Sequence, residues 1–417
     1  MVCVGERFFR LLVYPLLSLF ILFVTEGCSN SSGGGSNTEN TGKGSDIRPG
    51  SAHPVFIVEP YCLLRGTDGV TLAWETDIPT VGSVRVWEGG KLVALYEENE
   101  EKTFHKVLIS NLRPGLNYKY VLSSTMLDES SPLSNESEGF FWTSPPGSST
   151  FTFFAYGDTR SRPEEHRKVC REITLKAKSI GKPCFLLHTG DLVSDGRQKE
   201  RWVLEFFSPA SEALKTLALV PCIGNHEYHS KWYFQYMTPF ATSKNDSPWY
   251  SFDFGCAHFV VLDSTADISP HSDQIAWLRK DLNLARKEEF SWIIAVFHVA
   301  AYASGLHGSN ASIQENLLPV LKEGGVNLVI SGHDHIYERL FDGDITYIVT
   351  GGGGAPLYPV REERDPYSQV AESALHFCEI HVSPSMLEVG AFRIDGTQID
   401  HFILKAGQRA PQPVTPR

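Results

Sequence analysis

The pattern of apolar and polar residues divides the chain near residue 150. Between residues 53 and 146, apolar residues recur at every second position in short runs, such as 70–76, 82–87 and 118–122, and turn-forming residues separate the runs. A period of two is typical of strands with one buried face, so about seven short strands are expected here. The pattern therefore predicts an all-β sandwich over residues 53–146.

After residue 150, apolar runs of strand length alternate with amphipathic stretches of helix length. The predicted strands are 151–156, 183–188, 217–223, 257–262, 292–297, 326–330, 345–350, 374–382, 386–394 and 399–404, and the predicted helices are 164–179, 200–214 and 273–288. This alternation predicts an α/β domain of mixed sheets covered by helices over residues 150–406, with a tail at 407–417. In such folds the active site lies beyond the carboxyl ends of the central strands.

The first 27 residues have the features of a signal peptide. Arg7 and Arg10 precede an apolar run at residues 11–24, which is too short for a comfortable membrane span. Gly27-Cys28 resembles the processing site of bacterial lipoproteins, and residues 28–52 are rich in Ser and Gly, which is typical of a flexible tether. We expect an exported protein of the bacterial cell envelope, anchored by a lipid on Cys28; an ordinary cleaved signal or an uncleaved anchor is the alternative.

Composition and charge narrow the classes of function. An apolar content of 42% and a charged content of 21% describe a globular protein. The formal net charge of -12 argues against general binding of a nucleic-acid backbone. A phosphorylated small molecule is still compatible with this charge, because bound cations can invert it locally. Six cysteines follow residue 28, mostly within apolar runs, and we expect most of them to be buried thiols.

Five short motifs follow predicted strands of the second region. They are Gly157-Asp158-Thr159-Arg160, Gly190-Asp191-Leu192-Val193, Gly224-Asn225-His226-Glu227, Phe297-His298 and Gly332-His333-Asp334-His335. Their carboxylates, amide oxygen and imidazoles are ligands for divalent metals, and the set is large enough for two ions. A single Asp after a strand is more often a helix cap or turn residue. Five such motifs in the same context favour a metal centre.

The spacing within the motifs suggests how two ions would be shared. Asp191 lies at the centre of the set, and we expect its carboxylate to bridge both ions. His333 and His335 are two positions apart, which in an extended segment would point both rings to one side. Two ions held close together can activate water and clamp a phosphoryl oxygen.

Residues 53–405 resemble calcineurin-like metallophosphoesterases, and in particular their purple acid phosphatase branch. The resemblance rests on the five motifs, on the string Gly332-His333-Asp334-His335-Ile336-Tyr337-Glu338-Arg339 and on the glycine-rich segment that begins at Val349. It implies a four-layer α/β (α+β) sandwich. The segment 112–120 resembles fibronectin type III-like domains, which implies that class for the N-terminal sandwich.

The resemblance also implies site residues. One metal would be held by Asp158, Asp191 and His335. The second would be held by Asp191, Asn225, His298 and His333. His226 would contact phosphate and help the leaving group depart, with Asp191 as the other catalytic residue, and His307 would face the substrate.

Two positions depart from the family pattern. Purple acid phosphatases have a metal-binding Tyr three residues after the bridging Asp, where this chain has Ser194. Other family members have a His two residues after the first Asp, where this chain has Arg160. We therefore expect a weaker first metal site completed by water, and Arg160 as a phosphate contact instead of a ligand. His166 is an alternative ligand.

The sequence predicts an exported hydrolase of phosphate esters that uses two divalent or trivalent metal ions, with iron, manganese or zinc as the candidates. The resemblance favours phosphomonoesters. Phosphodiesterase or nucleotidase activity on the same fold is one alternative, and a non-catalytic surface binding protein is the other.

Overall fold

The computed structural model describes residues 53–66, 69–127, 133–238 and 247–414. The predicted signal peptide, the predicted tether and Cys28 lie outside these residues. Among the helices that are described, none has the length and apolar character needed to cross a membrane.

The described N-terminal residues form six strands. They are β1 (Phe56–Leu64), β2 (Val70–Glu88), β3 (Lys91–Glu97), β4 (Lys102–Ile109), β5 (Asn117–Met126) and β6 (Leu133–Trp142). The separate strands predicted at 70–76 and 82–87 are parts of the single long strand β2, so the described residues form one strand fewer than the approximately seven expected. One part of β2 pairs with β1 and β4, and the other pairs with β3 and β5.

A buried tyrosine fixes the turn before β5. The Arg113 backbone N–H donates to the Tyr118 hydroxyl at 3.0 Å, and that hydroxyl lies 3.2 Å from the Arg113 carbonyl that it can donate to. This resembles the tyrosine corner of immunoglobulin-like sandwiches. The all-β character is confirmed, whereas the fibronectin type III class and the domain boundaries stay predictions. Strand β1 also pairs in parallel with a strand of the next region, at Leu63 and Leu219.

Two mixed sheets follow residue 150. The first has the order β20-β19-β18-β17-β7-β8-β9, and the second has the order β10-β11-β12-β13-β15-β14-β16. The strands are β7 (Phe151–Tyr156), β8 (Cys184–His188), β9 (Ala218–Pro221), β10 (Tyr250–Phe254), β11 (Ala257–Val261), β12 (Trp292–Val299), β13 (Leu328–Gly332), β14 (Tyr337–Phe341), β15 (Thr346–Thr350), β16 (Ser368–Glu372), β17 (His376–Ser383), β18 (Met386–Arg393), β19 (Gln398–Lys405) and β20 (Gln412–Pro413). In the centres of the two sheets, β7, β8 and β9 run parallel, as do β11, β12, β13 and β15.

Helices cover the outer face of each sheet. The helices are α1 (Pro163–Ile180), α2 (Lys199–Arg201), α3 (Ser208–Leu214), α4 (Lys231–Met237), α5 (Asp273–Lys287) and α6 (Leu318–Gly324), with π-helical turns at Trp202–Phe207 and Ile313–Leu317 and a 3-10 turn at Asn225–Glu227. Helix α1 packs its buried Val169 and Ile173 on the first sheet, and α5 packs Leu278 on the second.

Aromatic rings fill the space between the sheets. Phe153 and Phe185 of the first sheet stack 5.3 Å apart, and Phe259 of the second sheet meets both edge-on at 5.4 and 5.5 Å. The layers are therefore helix, sheet, sheet and helix, which confirms the predicted four-layer sandwich. All six described cysteines are free and buried, as expected.

Several elements were not predicted, and β14 shows why. Its Glu338 and Arg339 are charged, yet both are buried. Arg339 donates to Asp400 at 2.6 Å, and the Glu338 carboxylate accepts from the Ser304 N–H at 2.6 Å. Because distant partners satisfy these charges, the apolar pattern of a central strand is absent from the sequence.

A charged histidine joins the β10–β11 hairpin to α5. His258, whose side chain is 8% exposed, lies 2.7 Å from Asp253 and 2.9 Å from Asp281. Burial alone would lower its pKa, but the two carboxylates raise the pKa of His258 to about 9. A folded-state pKa above the unfolded value of about 6.5 contributes stability below pH 6.5 that is lost as the pH rises through 9.

We predict that Asp281→Asn lowers the free energy of unfolding at pH 6 by roughly 1–2 kcal/mol and flattens its decline between pH 6.5 and 9. Removing one carboxylate lowers the pKa of His258 toward its unfolded value. Urea denaturation at a series of pH values measures both effects. Asp395→Asn, at an exposed turn, is the control and should leave this alkaline decline unchanged. A decline in Asp281→Asn as steep as in the wild type would contradict the assignment.

Candidate metal centre

The predicted ligands meet where the central strands of both sheets end. Asp158 follows β7, Asp191 follows β8 and Asn225 follows β9, while His298 lies near the end of β12 and His333 follows β13. Parallel strands place their carboxyl ends at one edge of a sheet, and the two sheets bring these edges together. Ligand atoms of Asp158, Asp191 and His298 all lie within 4.8 Å of one another, and all three residues are buried.

One side of this cluster is closed. His335 Nε2 lies 3.4 Å from Asp158 Oδ1, and both residues are almost fully buried. Neither atom has a hydrogen-bond partner. Buried polar atoms without partners are costly, so a lone pair and a carboxylate oxygen facing each other fit a cation between them.

The other side is more open. His298 Nε2 lies 3.1 Å from Asn225 Oδ1, 3.3 Å from Asp191 Oδ1 and 3.3 Å from His333 Nδ1. Asn225 is exposed, and His333 is partly exposed. Asp191 and the buried His298 therefore lie between a buried pair, Asp158 and His335, and a more accessible pair, Asn225 and His333.

Carbonyl groups orient three of the imidazoles. His298 Nδ1 lies 3.0 Å from the Thr189 carbonyl, His335 Nδ1 lies 2.6 Å from the Pro356 carbonyl and His226 Nδ1 lies 2.8 Å from the Ser194 carbonyl. Because a carbonyl only accepts, each Nδ1 carries a proton, and each Nε2 is directed to the cluster. His333 differs, since its Nδ1 faces the other ligands.

Three of the candidate ligands have left-handed backbone conformations. The φ angles are 58° at Asp158, 54° at Asp191 and 71° at His333. Non-glycine residues are uncommon in this region, and such strain concentrates at functional sites. The prediction of an extended segment at His333 and His335 is wrong, because the chain bends there. The left-handed turn at His333, rather than strand alternation, directs the two rings to the cluster.

Glycines before the ligands allow close approach of the loops. A Cβ at Gly224 would lie 2.4 Å from Asp191 Oδ1, and a Cβ at Gly332 would lie 2.4 Å from Asp158 Oδ2. Any side chain at either glycine would displace a candidate ligand.

Glu227 joins two of the ligand loops. Its buried carboxylate accepts backbone N–H bonds from Asp191 at 3.0 Å, Leu192 at 2.9 Å and Gly224 at 2.6 Å. Burial, and next the charge of Asp191, raise the pKa of Glu227 to about 8. The carboxylate therefore fixes the geometry of the Asp191 and Asn225 loops without itself facing the cluster.

The cluster favours positive charge at His298. Burial alone would lower its pKa, but Asp191 and Asp158 raise the pKa of His298 to about 10. Burial and neighbouring imidazoles lower the pKa of His333 to about 3. The negative charge that favours a proton on His298 Nε2 equally favours a divalent cation there, so metal and proton compete. Two carboxylates, an amide oxygen and three imidazoles are a suitable donor set for two such ions.

The two departures from the family pattern have clear structural counterparts. The Ser194 hydroxyl donates to Glu205 at 2.8 Å instead of to the cluster. Arg160 Nε donates to Asp191 Oδ2 at 3.3 Å. His166 is engaged with the Tyr156 hydroxyl and the Glu205 carbonyl, so the alternative of His166 as a ligand is wrong.

The predicted substrate-facing residues surround the open side. His226 Nε2 lies 3.8 Å from Asp191 Oδ2, and the imidazole is 24% exposed. The exposed His307 ring stacks on His333 with centroids 4.1 Å apart. Sequence reasoning missed Tyr358, whose ring stacks on His335 at 4.0 Å and meets His307 edge-on at 5.5 Å. Its only sequence signal was an aromatic residue just after the glycine-rich segment.

Comparisons with known proteins agree with this geometry. Residues 151–337 match the family model described as Calcineurin-like phosphoesterase. Purple acid phosphatase 18 of Arabidopsis thaliana is 32% identical over 153 residues, 33% of this chain and 33% of that protein. Purple acid phosphatase 21 of the same plant is 26% identical over 327 residues, 69% of each chain.

A solved structure supports the fold. Purple acid phosphatase PPD1 from yellow lupin seeds has a TM-score of 0.73 at 18% identity, covering 85% of this chain and 74% of that one. Together these similarities confirm the predicted fold and a calcineurin-like phosphoesterase domain over residues 151–337. The match to the first relative spans only a third of that relative's length.

We predict that zinc or manganese raises the melting temperature and that His335→Ala reduces this gain. A hundredfold excess of metal over its Kd stabilises the folded state by about 2.7 kcal/mol per site. Scanning fluorimetry measures the gain, and elemental analysis measures the bound ions. His401→Ala, which removes a partly buried His on β19, is the matched control. Equal metal content in both variants would contradict the assignment of His335.

Proposed function

Residues 151–337 of this chain are a calcineurin-like phosphoesterase domain, and from this premise we propose that the protein is an exported, metal-dependent hydrolase of phosphate monoesters. The observation that carries the proposal is the convergence of Asp158, Asp191 and His298 within 4.8 Å at the strand ends.

The candidate ligands divide between two cations that share Asp191. One cation would bind Asp158, Asp191 and His335, and the other would bind Asp191, Asn225, His298 and His333. When bound, such a pair polarises a phosphoryl oxygen and lowers the pKa of water. With Ser194 in place of an anionic ligand and Arg160 adding a positive charge, the first subset suits a divalent ion among iron, manganese and zinc.

His226 supplies the proton that the leaving group needs. In the hydrolysis, a water oxygen forms a new bond to phosphorus while the bond to the ester oxygen breaks, and the proton that the water loses replaces the one that His226 gives up. His226 Nε2, whose ring is held through Nδ1, transfers a proton to the departing oxygen. The exposed His307 lies on the same open side, where it can contact the phosphate.

Arg160 supports a preference for monoesters. A monoester carries a second negative charge that a diester lacks, and a guanidinium matches two phosphate oxygens. Arg160 is 17% exposed and already reaches Asp191 at the centre of the cluster. The similarity to purple acid phosphatases supports the same preference.

We predict that the purified protein with zinc, manganese or iron hydrolyses p-nitrophenyl phosphate faster than bis(p-nitrophenyl) phosphate. Asp191→Asn should lower kcat at least 10²-fold, because it weakens the ligand shared by both cations. Release of p-nitrophenol measures both substrates.

Arg160→Gln tests the preference for monoesters in the same assay, and it should lower the monoester rate more than the diester rate. Asp395→Asn at an exposed turn is the matched control for Asp191→Asn. Equal rates for wild type and Asp191→Asn would exclude the metal mechanism. A higher rate on the diester would instead assign a phosphodiesterase, and absence of both activities together with less than one ion per chain would favour a binding protein.

We also propose that the protein is exported and anchored by a lipid on Cys28. Arg7, Arg10 and the apolar run at 11–24, followed by Gly27-Cys28, support this proposal. In a bacterial host, mass spectrometry should find a mature N-terminus at a lipid-modified Cys28, and Cys28→Ala should abolish the modification. The control is Cys3→Ala, which should be processed like the wild type. An unmodified mature N-terminus at another residue would contradict the anchor.

A further inference from the structure

Glu205 is a buried carboxylate near the candidate metal centre that is not one of the candidate ligands. It lies on the π-helical turn Trp202–Phe207, and its side chain is 4% exposed. We propose that Glu205 is a positioning residue that fixes His226 and Arg160 by binding the two loops that carry them. The inference deepens the proposed function, and it rests on the assignment of His226 as the proton donor.

The first set of contacts leads to His226. Glu205 Oε2 accepts the Ser194 backbone N–H at 2.6 Å, and Oε1 accepts the Ser194 hydroxyl at 2.8 Å. The Ser194 carbonyl in turn accepts the His226 Nδ1–H at 2.8 Å. Two polar groups of Ser194 are therefore fixed by Glu205, and the third orients the imidazole. The direction of His226 Nε2 thus depends on Glu205 through one residue.

The second set leads to Arg160. Glu205 Oε2 also accepts the Ser161 backbone N–H at 3.2 Å. Ser161 has a φ of 73°, a strained conformation for a residue other than glycine. The neighbouring Arg160 directs its guanidinium at Asp191. The hydrogen bond from Ser161 therefore stabilises the turn that aims Arg160.

The local structure around Glu205 supports this role. Helical turns with π hydrogen bonding are rare and often occur at functional sites. Arg201 Nη1 lies 2.7 Å from Oε1, so the buried negative charge has one cationic partner. Burial raises the pKa of Glu205, but the bonds from Ser194, Arg201 and Ser161 outweigh burial and lower it. Glu205 is therefore a carboxylate whose acceptor sites point at the two loops.

If Glu205 positions His226, its loss should affect the rate differently for different leaving groups. If Glu205 only stabilises the fold, its loss should affect all substrates alike. An alkoxide is a poor leaving group and needs the proton from His226, whereas p-nitrophenolate departs with little help. A misaligned His226 should therefore slow the hydrolysis of alkyl phosphates more than that of aryl phosphates. A general loss of folded enzyme would lower the rates on both classes of ester by the same factor.

The test compares Glu205→Gln with the wild type on an alkyl phosphate and on p-nitrophenyl phosphate. The amide offers one acceptor oxygen in place of two, so we expect kcat/KM to fall roughly 30-fold for the alkyl ester and about threefold for the aryl ester. Glu379→Gln makes the same change at a buried carboxylate bound to Lys176 on another part of the fold, and it should leave the ratio unchanged. Combining Glu205→Gln with His226→Ala should add little to His226→Ala alone.

A second readout does not depend on activity. Proton–nitrogen NMR of His226 without added metal reports whether Nδ1–H is held by Ser194. We expect its exchange with water to be about tenfold faster in Glu205→Gln than in the wild type, and unchanged in Glu379→Gln.

The two proposals fail in different ways. Equal losses for the two esters, or an unchanged Nδ1–H signal in a folded Glu205→Gln, would overturn the positioning role. A wild type that hydrolyses neither ester would overturn the proposed function, and the NMR result alone would then decide the role of Glu205.

Discussion

Burial of two carboxylates and several imidazole lone pairs at one point is the constraint on which the rest of the structure depends. Asp158 and Asp191 are almost fully buried, and Asp158 Oδ1 has no hydrogen-bond partner. Like charges and lone pairs at such distances are unfavourable in a dry interior without positive charge between them. Protons and hydrogen bonds offset part of this repulsion. Cations bound by the same donor atoms would offset the rest. The surrounding loops must hold the groups together against this repulsion.

Four further carboxylates provide that restraint, and none of them faces the cluster. Glu227 accepts from the Asp191 and Asn225 loops, and Glu205 accepts from Ser161 and Ser194. Asp334 accepts from the backbone of His307, and Glu338 accepts from Ser304 on the same loop. Hydrogen bonds from backbone N–H groups to these buried side-chain oxygens tie each loop to a neighbouring segment. The acidic residues next to the ligands thus fix loop geometry, which permits left-handed conformations at three ligands.

The strand ends and the residue types of the ligands could be predicted from the sequence, because both produce local patterns of residues. Asp158 and Asp191 each follow an apolar run and a glycine, and that combination can be recognised from a few residues. The turn at His333 could not be predicted, because its left-handed angle is imposed by contacts with Asp158 and by close packing at Gly332. Tyr358 and Glu205 reach the site through partners distant in sequence, so no local period marks them. Strand β14 was missed for the same reason.

At position 194 this chain departs from the family pattern, and the role of the residue in the site is different. In the family pattern this position supplies an anionic ligand, whereas here its side chain is bonded to Glu205 and its carbonyl to His226. The Ser194 hydroxyl cannot contact the cluster and Glu205 at once. This position therefore orients His226 instead of supplying a metal ligand. Arg160 changes the local charge further, because its guanidinium lies beside Asp191 at a position where other family members have a neutral His ligand. The first subset therefore relies on Asp158 and Asp191 as its anionic groups, and the positive charge of Arg160 lies beside Asp191.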